Sequence, residues 1–435
     1  QKSGWVCIEQ NSPGGFNFDT FNLYMPDFTA TDYRGNTINS SSIVASHKVT
    51  LYYIWASWCS FSKAFHPTVS SIYQRYKNHS LEIIGLCSDG TENPVDAANT
   101  IESNNMEWPT LMSNPGGISY SGFPTIMAFD ETGKLIFHSS VTSRSLLPDF
   151  LKGILGEGDL PYESSDFSED GKVYTLQQAS EGNGINVVLM GDAFSDRQIA
   201  DGTYEEVMRT AADAFFSEEP YTSFRNLFNV YYVTAVSKNE GYVDGGSTVF
   251  SGYFSGGTHV GGDDNKCMQY AATCPGMTDP LMNEVLIIVM MNSTLYAGTC
   301  YWGSSSAYQG DYGRGYGIAY FPIGTSDEDL ASVLHHEAGG HGFAKLEDEY
   351  YYESKGTIPS SEISRNIDFR NRYGWGRNVD YTSDPNSVVW SKFISDSRYA
   401  SEGLGVYEGA CTYYKGAYRP TETSIMVGNV GGFNA

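Results

Sequence analysis

Residues 156 to about 173, "GEGDLPYESSDFSEDGKV", are acidic, turn-rich and carry no apolar period. They separate two stretches of different texture. A chain of 435 residues is too long for one ordinary core. The stretch is therefore read as a linker, residues 156–173, between a first domain over 1–155 and a second over 174–435.

In the first domain, short apolar runs alternate with helical patterns: "KVTLYYIWAS", "SSIYQRYKNH", "LEIIGLC", "PTIMAFD", "KLIFHSS" and "LLPDFLKGIL". That alternation predicts a βαβ arrangement around a mixed sheet. The second domain opens on a strand over 185–194 and continues with a helix from Thr203 to Phe216. Its apolar positions Val207, Met208, Ala211, Ala212, Phe215 and Phe216 fall at helical spacing. Strands follow over 227–236 and 284–292, then a Gly/Ser/Tyr-rich stretch over 297–318. "SDEDLASVLHHEAGGHGF" reads as a helix, with Ser326 and Asp327 as cap candidates.

Acidic residues outnumber basic ones 51 to 26, a formal charge of −25. Nucleic-acid binding draws its affinity from Lys and Arg neutralising phosphates, so no nucleic-acid partner is expected. The longest apolar run, "VLIIVMM", is far shorter than the roughly 20 residues of a membrane span. With 32 Tyr and 47 Gly and few Lys, the composition suits an exported protein. Residue 1 is Gln, not Met, which predicts a removed upstream segment of signal-peptide kind. The seven cysteines are an odd number and cannot all pair within the chain; one or two disulfides suit an oxidising compartment.

Three of the eight histidines fall within seven residues of "HHEAGGHGFAKLEDEY", 335–350. His336-Glu337 is followed by His341, five residues after His336, where the H-E-x-x-H metal signature has four. In a regular α-helix, residues five apart point about 140° from each other, too far to share one ion. A π-bulge returns them to one face, and Gly339-Gly340 supplies the backbone freedom for it. Catalytic zinc takes three protein ligands and keeps one open position. A carboxylate next to a ligand, here Glu337, is the expected general base for the water that zinc activates. "GGDDN" (261–265) reads as a solvated turn or a calcium loop.

"YIWASWCSFSKAFHP" (53–67), with "MPDFTATDYRGNTINSSS" before it and "SGFPTIMAFDETGKLIF" after it, resembles the thioredoxin-like thiol oxidoreductases. The resemblance covers most of 20–155 and implies a cis Pro124 facing Cys59. The family signature is W-C-x-x-C; here Ser62 replaces the second cysteine, which removes the usual resolving thiol. Cys87 is a candidate partner for Cys59, and a retained fold acting as a docking module is the alternative.

"HEAGGH" matches the local H-E-x-x-G-H pattern of the dipeptidyl-peptidase III family. The wider context, "INVVLMGDAFSD", "AFFSEEPYTSFRNLFNVYYVTAVSKNEG", "LEDEY" and "VYEGACTYYKGAYRPTETSIM", resembles the bacterial IgA-type zinc metallopeptidases over about 180–430. That resemblance implies an α+β metzincin-like zinc metallopeptidase behind the α/β thioredoxin-like domain. Carried over by position, His336, His341 and Asp348 are the Zn2+ ligands, Glu337 is the catalytic base and Met426 is the Met-turn residue. Glu347 and Glu349 flank Asp348, so a shift of one residue would move the third ligand. Ala344 stands where the family has a turn-making Gly. Tyr413, Tyr414 and Tyr418 are candidates to stabilise an oxyanion, and His335 is read as a histidine that supports the ligands or packs, and not as a ligand. The chain ends nine residues after Met426, where metzincin-like domains usually continue into another helix.

The expected function is a secreted zinc endopeptidase with a protein or peptide substrate. An inactive metallopeptidase-like binding protein and a thiol-exchange protein acting through Cys59 are the alternatives.

Overall fold

A computed structural model describes residues 23–139, 144–159, 162–243, 246–255, 258–304, 315–324, 326–429 and 432–433. Cys7, most of the Gly/Ser/Tyr-rich stretch and the Asp327 side chain lie outside them. The chain divides into two compact units, Gln1–Pro161 and Tyr162–Ala435.

In the first unit, β1 (Val49–Trp55), α1 (Ser60–Tyr76), β2 (Leu81–Cys87), α2 (Pro94–Ser103), β3 (Thr110–Leu111), β4 (Thr125–Asp130), β5 (Leu135–Ser139) and α3 (Leu147–Leu155) follow in order. They build one mixed sheet of order β3-β2-β1-β4-β5. Every residue of β1 is buried because both its faces are covered. Val49, Leu51, Tyr53 and Trp55 pack on the helices through Phe65, Val69 and Ile72. Tyr52 and Ile54 meet Phe28 and Ile38 on the other face. This is why β1 reads as a continuous apolar run and not as an alternating one.

The division between units falls inside the expected linker, but Tyr162–Lys172 is not free chain. Ser164 N–H donates to the Lys238 carbonyl, Gly171 N–H to that of Thr234, and the Asp170 carboxylate accepts from Val236 N–H. These bonds lash the acidic stretch along the second unit. Its polar residues are satisfied there by the segment that follows β8, a partner that turn-rich composition does not reveal.

The second unit is built on a six-stranded sheet of β6 (Val173–Gln177), β7 (Ile185–Asp192), β8 (Phe228–Val233), β9 (Leu286–Met291), β10 (Thr299–Gly303) and β11 (Tyr316–Pro322), in the order β10-β11-β9-β7-β8-β6. The four inner strands are parallel, and the edge strands β6 and β10 are antiparallel to their neighbours. Helices α4 (Thr203–Phe215) and α5 (Asp327–Leu334) cover one face, joined to it by Val187, Leu189, Met208, Phe215, Ile288 and Leu334. A smaller sheet of β12 (Tyr351–Thr357), β13 (Tyr407–Ala410) and β14 (Thr412–Arg419) has the order β12-β14-β13. No helix among the described residues is long and apolar enough to cross a membrane.

"GGDDN" runs directly into a helix. Asp263 caps the helix Asp264–Ala271 by accepting from Lys266 N–H at 3.1 Å, and Asp264 accepts from Tyr320 O–H at 2.8 Å. The six described cysteines are all free thiols.

Candidate metal centre

The helix expected over 326–343 changes its winding where the histidines begin. After α5, residues His335–Phe343 form a π-helix. Its closing bond, Ala344 N–H to the Gly339 carbonyl at 3.0 Å, spans five residues, which is the π pattern. The glycines are required here by crowding. A methyl group on Gly340 would lie 2.2 Å from Met426 Sδ, and one on Gly317 of β11 would lie 2.5 Å from the Gly342 carbonyl oxygen. The π-helix therefore rests directly on the sheet beneath it and on Met426 beside it. Tyr221 O–H donates to the same Gly339 carbonyl at 2.7 Å, a second bond to that oxygen. The turn out of the helix is made at Lys345, with φ +55°, and not at Ala344. Buried Lys345 folds its ammonium back onto the Gly342 carbonyl; burial lowers its pKa to about 8.

This winding brings His336 and His341 together, with ring centroids 4.8 Å apart. Asp348 Oδ1 lies 3.3 Å from His336 Nε2 and 3.1 Å from His341 Nε2. Among the described residues these three form a group able to hold a metal ion, its ligand atoms all within 4.8 Å of one another. The other ring nitrogens decide the tautomers. His336 Nδ1 faces the Ile425 carbonyl at 2.8 Å, and His341 Nδ1 faces the Leu346 carbonyl at 2.7 Å. A carbonyl only accepts, so both Nδ1 atoms carry a proton, which leaves Nε2 of each ring, facing Asp348 at the shared point, as the nitrogen to bind metal. Two such nitrogens and one carboxylate fit the donor set of zinc.

Charge binds the group together. Burial opposes ionisation of Asp348, yet His341 and His336 hold its carboxyl well below the usual range. Burial would lower the pKa of His341, but Asp348 overrides it and raises the value to about 9. The neighbours of Asp348 are engaged elsewhere. Glu349 is buried and accepts from Ser424 O–H at 2.6 Å and from Asn378 Nδ2 at 2.9 Å. Glu347 stands against Gly376. Geometry thus singles out Asp348 from the three acids.

Glu337 projects from the π-helix toward β10. Its side chain abuts Gly298, where a methyl group would lie 2.9 Å from its Cγ, and it accepts from the Cys300 backbone. Burial raises its pKa, partly countered by His341 and His336. Trp302 of β10 lies 5.2 Å from the His341 ring, centroid to centroid. His335 points away and bonds the Ala214 carbonyl through Nε2 at 2.7 Å. Of the three tyrosines considered above, Tyr413 donates to Glu362 at 2.7 Å and Tyr418 faces Glu408 at 3.5 Å. Tyr414 is exposed and packs on Tyr351. The tyrosine beside the metal group is Tyr350, its ring 6.4 Å from that of His336. It lies inside the motif "LEDEY", and its two-residue distance from Asp348 was the available signal.

In the first unit, Cys59 is the N-cap of α1, and the Phe123–Pro124 peptide bond is cis. Cys59 Sγ lies 3.8 Å from the Phe123 carbonyl and is 7% exposed. Cys87 does not turn to it. Its thiol donates to Asp89 at 3.2 Å, and burial, then Asp89, push its pKa up. Ser62 is wholly buried beneath the motif.

Comparison with known proteins places both units. The family model for IgA Peptidase M64 matches residues 174–398, which makes the second unit a peptidase. That match covers more than half of the 435 residues, and the chain belongs to the IgA Peptidase M64 family. The matched span contains His336, Glu337, His341 and Asp348, while Met426 lies beyond it. A thioredoxin-like family model matches residues 47–112. The thiol-disulfide oxidoreductase ResA of Bacillus cereus is 26% identical over 115 residues, covering 26% of this chain and 64% of that protein. ResA of Bacillus thuringiensis subsp. konkukian is 26% identical over 134 residues, 30% of this chain and 75% of its own. Among solved structures, the thioredoxin domain of a thiol-disulfide oxidoreductase from Bacteroides vulgatus has a TM-score of 0.27 at 22% identity, over 30% of this chain and 96% of that one. A putative protein disulfide isomerase from Bacteroides thetaiotaomicron has 0.27 at 22%, over 31% and 89%.

Proposed function

We propose that the second unit is a secreted zinc endopeptidase of metzincin-like architecture, with His336, His341 and Asp348 as ligands and Glu337 as general base. The observation that carries this reading is the convergence of two Nε2 atoms, their Nδ1 protons held by backbone carbonyls, on one carboxylate oxygen. Zinc held by these three residues would lower the pKa of a bound water and polarise a peptide carbonyl. Glu337 accepts the proton of the attacking water and returns it to the leaving amine; its raised pKa brings it nearer the working range of such a base. The edge strand β10, which meets Glu337 at Cys300 and at Gly298 just before it, is where an extended peptide would pair and lie across the site. Export rests on the composition alone.

Elemental analysis of the purified protein is expected to show about one zinc per chain, lost in His341→Ala. No zinc in the wild type, even after reconstitution, would favour an inactive binding protein. The proton that Asp348 holds on His341 must leave before Nε2 can bind metal. Zinc added at pH 7 to chelator-stripped protein is thus expected to release protons, and affinity is expected to rise with pH up to about 9. Calorimetry in buffers of different ionisation enthalpy measures the release; an absence of proton release would contradict the assignment of His341.

A second reading concerns the thioredoxin-like unit, because Cys59 sits at a helix N-terminus beside Pro124. With Ser62 in the resolving position and Cys87 bonded to Asp89, exposure to oxidised glutathione is expected to leave a reducible mixed disulfide at Cys59. Peptide mapping that instead found a Cys59–Cys87 bridge would show an unusual resolving pair.

A further inference from the structure

We propose that the hydroxyl of Tyr350 is a second catalytic group, donating a hydrogen bond to the oxygen of the scissile carbonyl as it becomes negative. This assignment rests on the peptidase reading above. Hydrolysis at such a centre needs, besides the ligands, a base on the water and a donor on the developing oxyanion. Glu337 meets the three-residue group from the side of β10, through its contacts with Gly298 and Cys300. Tyr350 meets it from the side of the smaller sheet, where its carbonyl accepts from Thr412 N–H at 3.0 Å at the start of β12. Its ring lies 6.4 Å from His336, tilted by 31°, and its hydroxyl faces Asp348 and Tyr352. The carboxylate and the phenol thus reach the group from different elements, the π-helix beside β10 and the segment leading into β12. The other nearby tyrosines are not so placed, since Tyr413 is bonded to Glu362 and Tyr418 faces Glu408. Tyr350 is only partly buried, so a bound peptide reaches it.

In the reaction, the water oxygen bonds to the carbonyl carbon while Glu337 takes the water proton. That proton passes to the amide nitrogen as the C–N bond breaks. Tyr350 turns its hydroxyl from Asp348 to the oxyanion and keeps its own proton.

The test uses the zinc-loaded full chain and Tyr350→Phe, with a cleavable peptide and its phosphinic analogue, which mimics the tetrahedral species. The variant is expected to keep about one zinc and an unchanged KM, to lose about 10²–10³-fold in kcat, and to lose phosphinic-peptide affinity in parallel. Tyr414→Phe, on the exposed face, is the control expected to change neither. An unchanged kcat in Tyr350→Phe overturns the assignment. Loss of zinc also overturns it, because Tyr350 would then act by holding Asp348. A wild type that neither cleaves peptides nor binds the phosphinic analogue would instead sink the peptidase reading, and this assignment with it.

Discussion

Glu337→Gln is expected to lower peptide turnover by about 10²–10⁴-fold while zinc stays bound. The amide has the size and shape of the carboxylate, so the contacts with Gly298 and the Cys300 backbone survive. None of the three metal-facing atoms belongs to Glu337, so the ligand group is intact. What disappears is the ability to take a proton from water, because a neutral amide is no base at any working pH. The variant should therefore match the wild type in zinc content and thermal stability and differ in kcat. Unchanged cleavage with zinc in place would falsify Glu337 as the base and send the search to another carboxylate. Loss of zinc would show that Glu337 shapes the ligand group as well as acting on water.

Gly317→Ala is expected to destabilise the second unit by about 3 kcal/mol or more and to weaken zinc binding at the same time. The added methyl group would lie 2.5 Å from the Gly342 carbonyl oxygen and 2.7 Å from its Cα. Both obstacles are backbone, so no side-chain rotation relieves them. The strand and the π-helix must separate, and the nearest functional residue to the displaced carbonyl is His341. Denaturant unfolding and zinc affinity measured on the same preparation check both effects. A change in stability without a change in zinc affinity would mean that the π-helix moves as a rigid piece. By contrast, Gly340→Ala meets the end of the Met426 side chain, which can yield, so its cost should be smaller.

Much of the architecture was legible along the chain because it depends on near neighbours. The apolar run of β1, the alternation of strands and helices before residue 156 and the period of α4 each show in consecutive residues. The five-residue spacing of His336 and His341 demanded a departure from α winding, and a π-helix is there. The acidic stretch revealed a boundary, but not that its second half is bonded along the unit that follows it. Asp263 and Asp264 looked like a loop because the Tyr320 hydroxyl that Asp264 accepts from lies 56 residues away.

The sequence by itself determined which residue types could serve: two histidines and a glutamate on one short segment, three acids just beyond it, and a thioredoxin-like motif lacking its second cysteine. Only the tertiary structure decided among them. It put Asp348 against both histidines while Glu349 bonds Ser424 and Asn378, and it faced Nδ1 of His336 with a carbonyl 89 residues distant. It also put Tyr350, and none of the three tyrosines of β14 named above, beside the His336 ring. The physical reason is that a ligand group is defined by where lone pairs point, and that direction is fixed by hydrogen bonds from elements remote in sequence.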